Sequence, residues 1–356
     1  MNLQENIYEV VAAYFHDDAL KEVPYKLYSI DAGSGRRYLV VGEDYMLALP
    51  AWHTVAKAGL PMEYGLLEYF KDRTKEESQA DSESKAAYGS LLHEVLKRLQ
   101  IAQGLELSEA NLWQIAQDEA RFDPKVTKYY DSSWLYRLKK NVMSFLAFAR
   151  ERELQCVAVE IGLASARQGY AGRIDLVGYV KFNKKRMLAI IDFKSRTTPY
   201  QSIGNVAQLY AYKRLWEENF PSMPIEGLFN FHPIDFETTK PTYHFVNQTE
   251  KLGWDVVDEA VSLFKKTNPA WYSLDDLKML MIEDAHVQLG ADPTTYIKEV
   301  NKLNVVSLIT KGRIDEGTNS NTEQDAGKDT PVGAGKDRRK VRKGSAPEPG
   351  LFHSDG

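Results

Sequence analysis

GYAGRIDLVGYVKFNKKRMLAIIDFKSRTTP, residues 169–199, decides the fold. Two apolar runs, Gly169–Lys181 and Arg186–Lys194, flank Asn183-Lys184-Lys185, a spacing that predicts a β-hairpin. The first run carries Asp175; the second ends on Asp192 and Lys194, two positions apart. Alternate residues of a strand face the same way, so Asp192 and Lys194 share one face. A carboxylate and an ammonium closing the apolar run Leu188-Ala189-Ile190-Ile191 have two readings. One is a surface ion pair at the strand's exit, worth about 0–1 kcal/mol. The other joins Asp175 and Asp192 from adjacent strands into a hard, anionic oxygen site for Mg²⁺ or Mn²⁺. Lys194 would then orient a metal-bound water and help deprotonate it.

Outward from the hairpin, Leu154–Leu163 reads as a third strand, and Ala86–Arg152 is helical in period. Leu92, Val95, Leu96 and Leu99 form its first stripe. Ser108–Ala120 and Ser132–Arg152 each open on a serine suited to an N-cap. Downstream, Ser202–Asn219 is helical and sets Gln208 and Tyr212 on one face, four residues apart. Strands Ile225–His232 and Thr242–Asn247 follow, then further helices to about Lys311. At the N-terminus, Ile7–Tyr14 reads as a helix. Two or three strands surround the turns Gly33-Ser34-Gly35 and Gly42-Glu43-Asp44, and Met62–Phe70 is helical. The acidic stretch Thr74–Lys85 reads as an exposed loop or linker. The expected division is 1–85 (N-terminal strands and linker), 86–311 (core) and 312–356 (tail). The expected class is α+β, a mixed central sheet flanked by helices, with a helical N-terminal portion lying over the active site and a disordered C-terminal tail.

Composition narrows the function classes. The 356 residues are 43% hydrophobic and 27% charged, values of a globular chain. The one cysteine, Cys156, excludes a disulfide scaffold and a cysteine-built zinc or iron–sulfur site. With no secretory leader pattern and no long apolar run, the expectation is a reducing, cytoplasmic setting without a membrane. A net charge of −5 excludes a global basic footprint, so contact with nucleic acid must be local or run through metal ions. There is no GxxxxGK[ST] stretch and hence no ATPase of this type. From Gly312 on, eight Gly, three Pro and only eight apolar residues predict a disordered tail, in which six cations crowd Lys336–Lys343.

In order, Gly172-Arg173-Ile174-Asp175, Asp192-Phe193-Lys194 and Gln208-x-x-x-Tyr212 resemble the PD-(D/E)xK nuclease superfamily. The RecB-like, single-strand exonuclease branch is the nearest likeness. Its upstream Gly-x-x-x-His helix is matched by Gly89-Ser90-Leu91-Leu92-His93, and its strand glutamate by Glu160. Leu49–Val55 is similar to a segment that precedes the core in that group. The position four after His93, often acidic in this branch, is Lys97 here. The resemblance implies a restriction-endonuclease-like core and divalent-metal hydrolysis of DNA. It makes Asp175, Asp192, His93, Glu160 and the Phe193 carbonyl metal ligands, and Lys194 the group that positions the water. Gln208 would fix Lys194 or the scissile phosphate, Tyr212 would contact the DNA backbone, and Arg196 would reach a phosphate. Taken alone, His93 on an apolar helix face is more often a core histidine; Glu160 has the alternative of a solvent-facing strand residue and Tyr212 that of helix packing.

The function expected is therefore a Mg²⁺- or Mn²⁺-dependent DNA exonuclease acting on single strands or ends, in replication, recombination or repair. A structure-selective or nicking endonuclease and a non-catalytic DNA-binding subunit are the alternatives. In the tail, Lys336–Lys343 would tether DNA, or Pro349-Gly350-Leu351-Phe352 would dock a replication or recombination partner.

Overall fold

The structure, a computed structural model, describes residues 14–15, 23–31, 35–61, 74–101, 109–122, 124–130, 132–195, 202–234, 242–253, 255–277 and 280. The expected helices at Ile7–Tyr14 and Met62–Phe70 lie outside these apart from Tyr14, as do the region beyond 280, the tail and Arg196. Tyr14–Phe15 (β1) is extended rather than helical and pairs antiparallel with Val159 and Ala158.

The predicted hairpin is Tyr170–Phe182 (β6) and Lys185–Phe193 (β7), turning through Asn183 and Lys184, both at positive φ (47° and 65°). Gln155–Ser165 (β5) lies antiparallel on the other side of β6. Helix α6 (Ile203–Asn219), capped by the Ser202 side chain accepting from the Asn205 N–H, carries the chain to Gly227–Ile234 (β8). β8 runs parallel to β7, and Thr242–Asn247 (β9) closes the edge antiparallel. The result is a six-stranded mixed sheet, ordered β1-β5-β6-β7-β8-β9, as the α+β expectation required. A second sheet of three strands, Tyr25–Asp31 (β2), Arg36–Gly42 (β3) and Met46–Pro50 (β4), forms an antiparallel meander.

Helices cover both faces of the main sheet. Strands β5 to β8 are apolar almost throughout because they are buried on two sides, while the edge strand β9 is only half-buried. Leu188 and Ile190 of β7 pack with α6, Trp52–Gly59 (α1) and Asp255–Thr267 (α7). Ala189, Ile191 and Phe193 point the other way, toward Lys75–Ile101 (α2), Glu109–Phe122 (α3), Pro124–Tyr129 (α4) and Ser132–Glu151 (α5).

Helix α2 corrects the reading of Thr74–Lys85 as a loop and crosses residue 85, the expected domain boundary, without a break. The polar stretch is held by its own pairs. Thr74 and Glu77 form a reciprocal cap: the Thr74 N–H donates to Glu77 Oε2 at 2.9 Å, and the Glu77 N–H to Thr74 Oγ1 at 3.2 Å. One turn on, Lys85 donates to Asp81 at 2.6 Å.

Arg37 of β3 is buried and donates from one guanidinium nitrogen to the carbonyls of Ala270, Trp271 and Ser273 at 2.9–3.0 Å. The small sheet is thereby fastened to the turn Pro269–Tyr272 near the end of the described chain.

Candidate active site

Leu176 lies opposite Ile191, so Asp175 and Asp192 leave the β6–β7 ladder at the same level. Asp175 is anchored first: its Oδ2 accepts the Phe193 N–H at 2.7 Å, leaving Oδ1 3.5 Å from His93 Nδ1. His93 reaches this point from α2, its ring edge-on to Phe193. Glu160 of β5 completes the group, with Oε1 3.5 Å from the same nitrogen and Oε2 paired to Arg173 Nε at 2.9 Å.

Glu160 sits inside a strand at φ 50°, a left-handed conformation that costs a non-glycine residue on the order of 1 kcal/mol or more. Its flanking residues Val159 and Ile161 keep register with Leu176 and Ile174, so the distortion is confined to the residue that turns its carboxylate into the site. Glu160 Oε1 is buried and accepts no hydrogen bond. Ligand atoms of His93, Glu160 and Asp175 lie within 4.8 Å of one another. Two hard oxygens, one of them an orphan, and one imidazole nitrogen fit a divalent cation of the Mg²⁺/Mn²⁺ kind.

Asp192 stands beside that group in a different environment. Its Oδ2 is 2.7 Å from Lys194 Nζ and accepts from Asn230 Nδ2 at 2.8 Å; its Oδ1 accepts from Gln208 Nε2 at 3.1 Å. Gln208 Oε1 faces Lys194 Nζ at 3.5 Å, and its amide also donates to the Tyr212 hydroxyl at 3.0 Å. Behind Asn230, Gln248 donates to Asn230 Oδ1 at 3.2 Å. The Tyr212 ring packs closely on β6: a Cβ on Gly172 would come 2.6 Å from Tyr212 Cε1, so only glycine admits this approach. Tyr212 is otherwise buried, and what it offers the site is its hydroxyl.

The electrostatics of the two carboxylates diverge. Burial alone would raise Asp175, but His93, the Phe193 N–H and Lys194 outweigh it and hold it below the usual carboxylate range. For Asp192 burial prevails: with Asp175 adding repulsion, the attraction of Lys194 does not restore it, and its pKa is raised. Burial would lower His93, yet Asp175 and Glu160 push it well above its ordinary value. Burial, then the charges of Asp175 and Asp192, lift Tyr212 well above the phenol range, so it stays a neutral hydroxyl.

The structure thus brings together Asp175, Asp192, His93, Glu160, Phe193, Lys194, Gln208 and Tyr212. Sequence reasoning missed Arg173 and Asn230. Arg173 lay within the quoted Gly-Arg-Ile-Asp, and Asn230 was legible as a polar residue inside the apolar strand Leu228–Phe231.

Two solved structures align with parts of this chain. A candidate exonuclease from Eubacterium rectale aligns over 56% of this chain and 68% of its own, at 13% identity and TM-score 0.31. The protein SSO0001 aligns over 52% and 86%, at 12% identity and TM-score 0.23. No curated protein sequence matches the chain. The profile of the PD-(D/E)XK nuclease superfamily matches residues 63–296, more than half of the chain and every strand and helix that builds the site from His93 to Asn230. The chain belongs to the PD-(D/E)XK nuclease superfamily.

Proposed function

We propose that this chain hydrolyses DNA phosphodiester bonds with Mg²⁺ or Mn²⁺, as an exonuclease of the RecB-like type working on single strands or ends. The observation that carries the reading is the complete set on one sheet end: Asp175, Asp192 and Lys194, with His93 and Glu160 alongside. A divalent ion held by His93, Glu160 and Asp175, with Asp192 and the Phe193 carbonyl at its margin, would polarise the phosphoryl oxygen and acidify its bound water.

The chain's own groups do the rest. Lys194 Nζ, braced between Asp192 and Gln208, holds the attacking water in line and balances charge building on the phosphate. Gln208 fixes that ammonium's direction by spanning Asp192, Lys194 and Tyr212. The 3′-oxygen leaves and the 5′-phosphate remains on the product, as the family likeness implies. Replication, recombination or repair in the cytoplasm is the setting this activity serves. Among the described residues no helix is long and apolar enough to cross a membrane.

The test is incubation of the chain with 5′- and 3′-labelled linear single- and double-stranded DNA and with a closed circle, in Mg²⁺ or Mn²⁺. The expected outcome is stepwise shortening of linear strands and an intact circle. A linearised circle would replace the exonuclease by an endonuclease. Inertness toward every substrate in both metals would leave a DNA-binding accessory protein.

A further inference from the structure

Among the described residues the most exposed large hydrophobic side chain is Tyr136, 66% open to solvent, against 40% for Trp113. It sits in the first half of α5, with the Lys140 ammonium 4.4 Å from its ring centre one turn on. A single exposed tyrosine needs no explanation by itself; its surroundings supply one. Residues 132–149 contain Arg137, Lys139 and Lys140 and no carboxylate, in a chain whose net charge is −5. This stretch is thus a local cationic exception on an acidic molecule.

Its place matters as much as its charge. Arg137, adjacent to Tyr136, lays its guanidinium over the Tyr88 ring at 4.1 Å and donates to the Ser195 carbonyl at 3.0 Å. Ser195 follows Lys194 directly. Further along, Ser144 donates to the Ile234 carbonyl at the end of β8. Through Arg137 the first half of α5 therefore reaches the backbone just past Lys194, and through Ser144 its second half reaches the end of β8. One arginine's length, about 7 Å when extended, separates the helix at Arg137 from the exit of the catalytic strand. A few nucleotides of strand, at about 3.4 Å or more each, cover that gap.

We infer that Tyr136 and Lys140 form a platform for single-stranded nucleic acid at the mouth of the site: one base stacks on the open face of the tyrosine ring while Lys140 takes a neighbouring phosphate. Stacking on an aromatic ring accepts any base, which suits a nuclease without sequence preference. In a duplex each base is already stacked on its neighbours, so the ring favours unpaired strand. This deepens the reading given under Proposed function and rests on it, by committing the substrate to single strands.

Binding is measured by anisotropy with a labelled oligo-dT and a duplex of equal length, on the full chain in EDTA and low salt, where no cleavage occurs. Tyr136→Ala is expected to weaken single-strand binding about tenfold, with Tyr136→Phe restoring most of it and duplex binding changing less than twofold. Lys140→Ala should lower the salt slope of single-strand binding by about one. Both side chains are at the surface, and melting curves that superimpose on the parent's verify that the variants fold. No single-strand binding by the parent, unchanged binding by Tyr136→Ala, or an equal loss on single strand and duplex would each overturn the platform. Cleavage of the same oligonucleotides in Mn²⁺ is scored separately. An inert parent there defeats the nuclease reading, while the metal-free binding still decides the platform.

Discussion

The two halves of the candidate site differ in how they satisfy their charges. On the lysine side, Asp192 spends both oxygens on Lys194, Asn230 and Gln208, and the network closes on itself. On the histidine side, Glu160 keeps a buried oxygen that accepts no hydrogen bond and a backbone held at φ 50°. A closed network fixes geometry; an under-satisfied one waits for a cation. The same sheet end thus sets a rigid proton-handling group next to a concentration of negative charge.

The largest expected effect breaks the closed half. Lys194→Ala and Asp192→Asn should each lower the cleavage rate at least about a thousandfold. Thermal melting separates the two carboxylates. Because the Asp192 pKa is raised, its ionised form opposes folding at neutral pH; this offsets part of the loss of an acceptor for Asn230 and Gln208, so Asp192→Asn should lower the melting temperature less than Asp175→Asn does. The lowered Asp175 contributes stability above the unfolded carboxylate pKa of about 4, lost as pH falls through its folded value, so Asp175→Asn should melt lower. Identical melting shifts in the two variants would erase the distinction between the halves.

Next comes His93→Ala, which should weaken metal binding about 100-fold in calorimetry and shrink any preference for Mn²⁺ over Mg²⁺. The raised His93 pKa means that metal must displace its proton. Apparent affinity should therefore climb with pH, by at most about tenfold per unit, up to the folded-state pKa. In the metal-free chain the same proton stabilises the fold below the unfolded pKa of about 6.5, a contribution lost as pH rises through the raised value. A pH-independent metal affinity would remove His93 from the metal-binding group.

Smaller again is Arg173→Ala. Releasing Glu160 Oε2 frees the carboxylate to rotate, and metal affinity should fall about tenfold, as for other groups that orient a ligand. The smallest and most selective change is Asn230→Ala. It removes a buried donor from Asp192 and should cost about 1–3 kcal/mol in chemical denaturation while leaving metal affinity within twofold. A large metal effect from Asn230→Ala would show that the halves are one network.

Much of this was legible in the residues. The hairpin and the following strands and helix appear within about two residues of where alternation, turn chemistry and helical period put them, because each signal is local. The Thr74–Lys85 helix was misread because its composition is that of a solvated loop, although Thr74-Lys75-Glu76-Glu77 spells a capping box. The convergence of His93 on Glu160 and Asp175 was expected only through family likeness. No spacing rule connects a helix to strands some 70 and 80 residues later. The strain at Glu160 was invisible, since nothing in Val159-Glu160-Ile161 marks a positive φ.

The Arg37 clasp has a consequence for synthesis. Its three acceptors lie 233–236 residues further along the chain. At about 5–20 residues per second, they emerge from the ribosome roughly 10–50 s after Arg37. Until then the nascent β2–β4 meander carries a guanidinium without its final acceptors, so the small sheet can assemble early but this clasp closes only after residue 273 has emerged. A ribosome stalled before Trp271 should therefore display a protease-sensitive N-terminal sheet, and release of the next stretch should protect it.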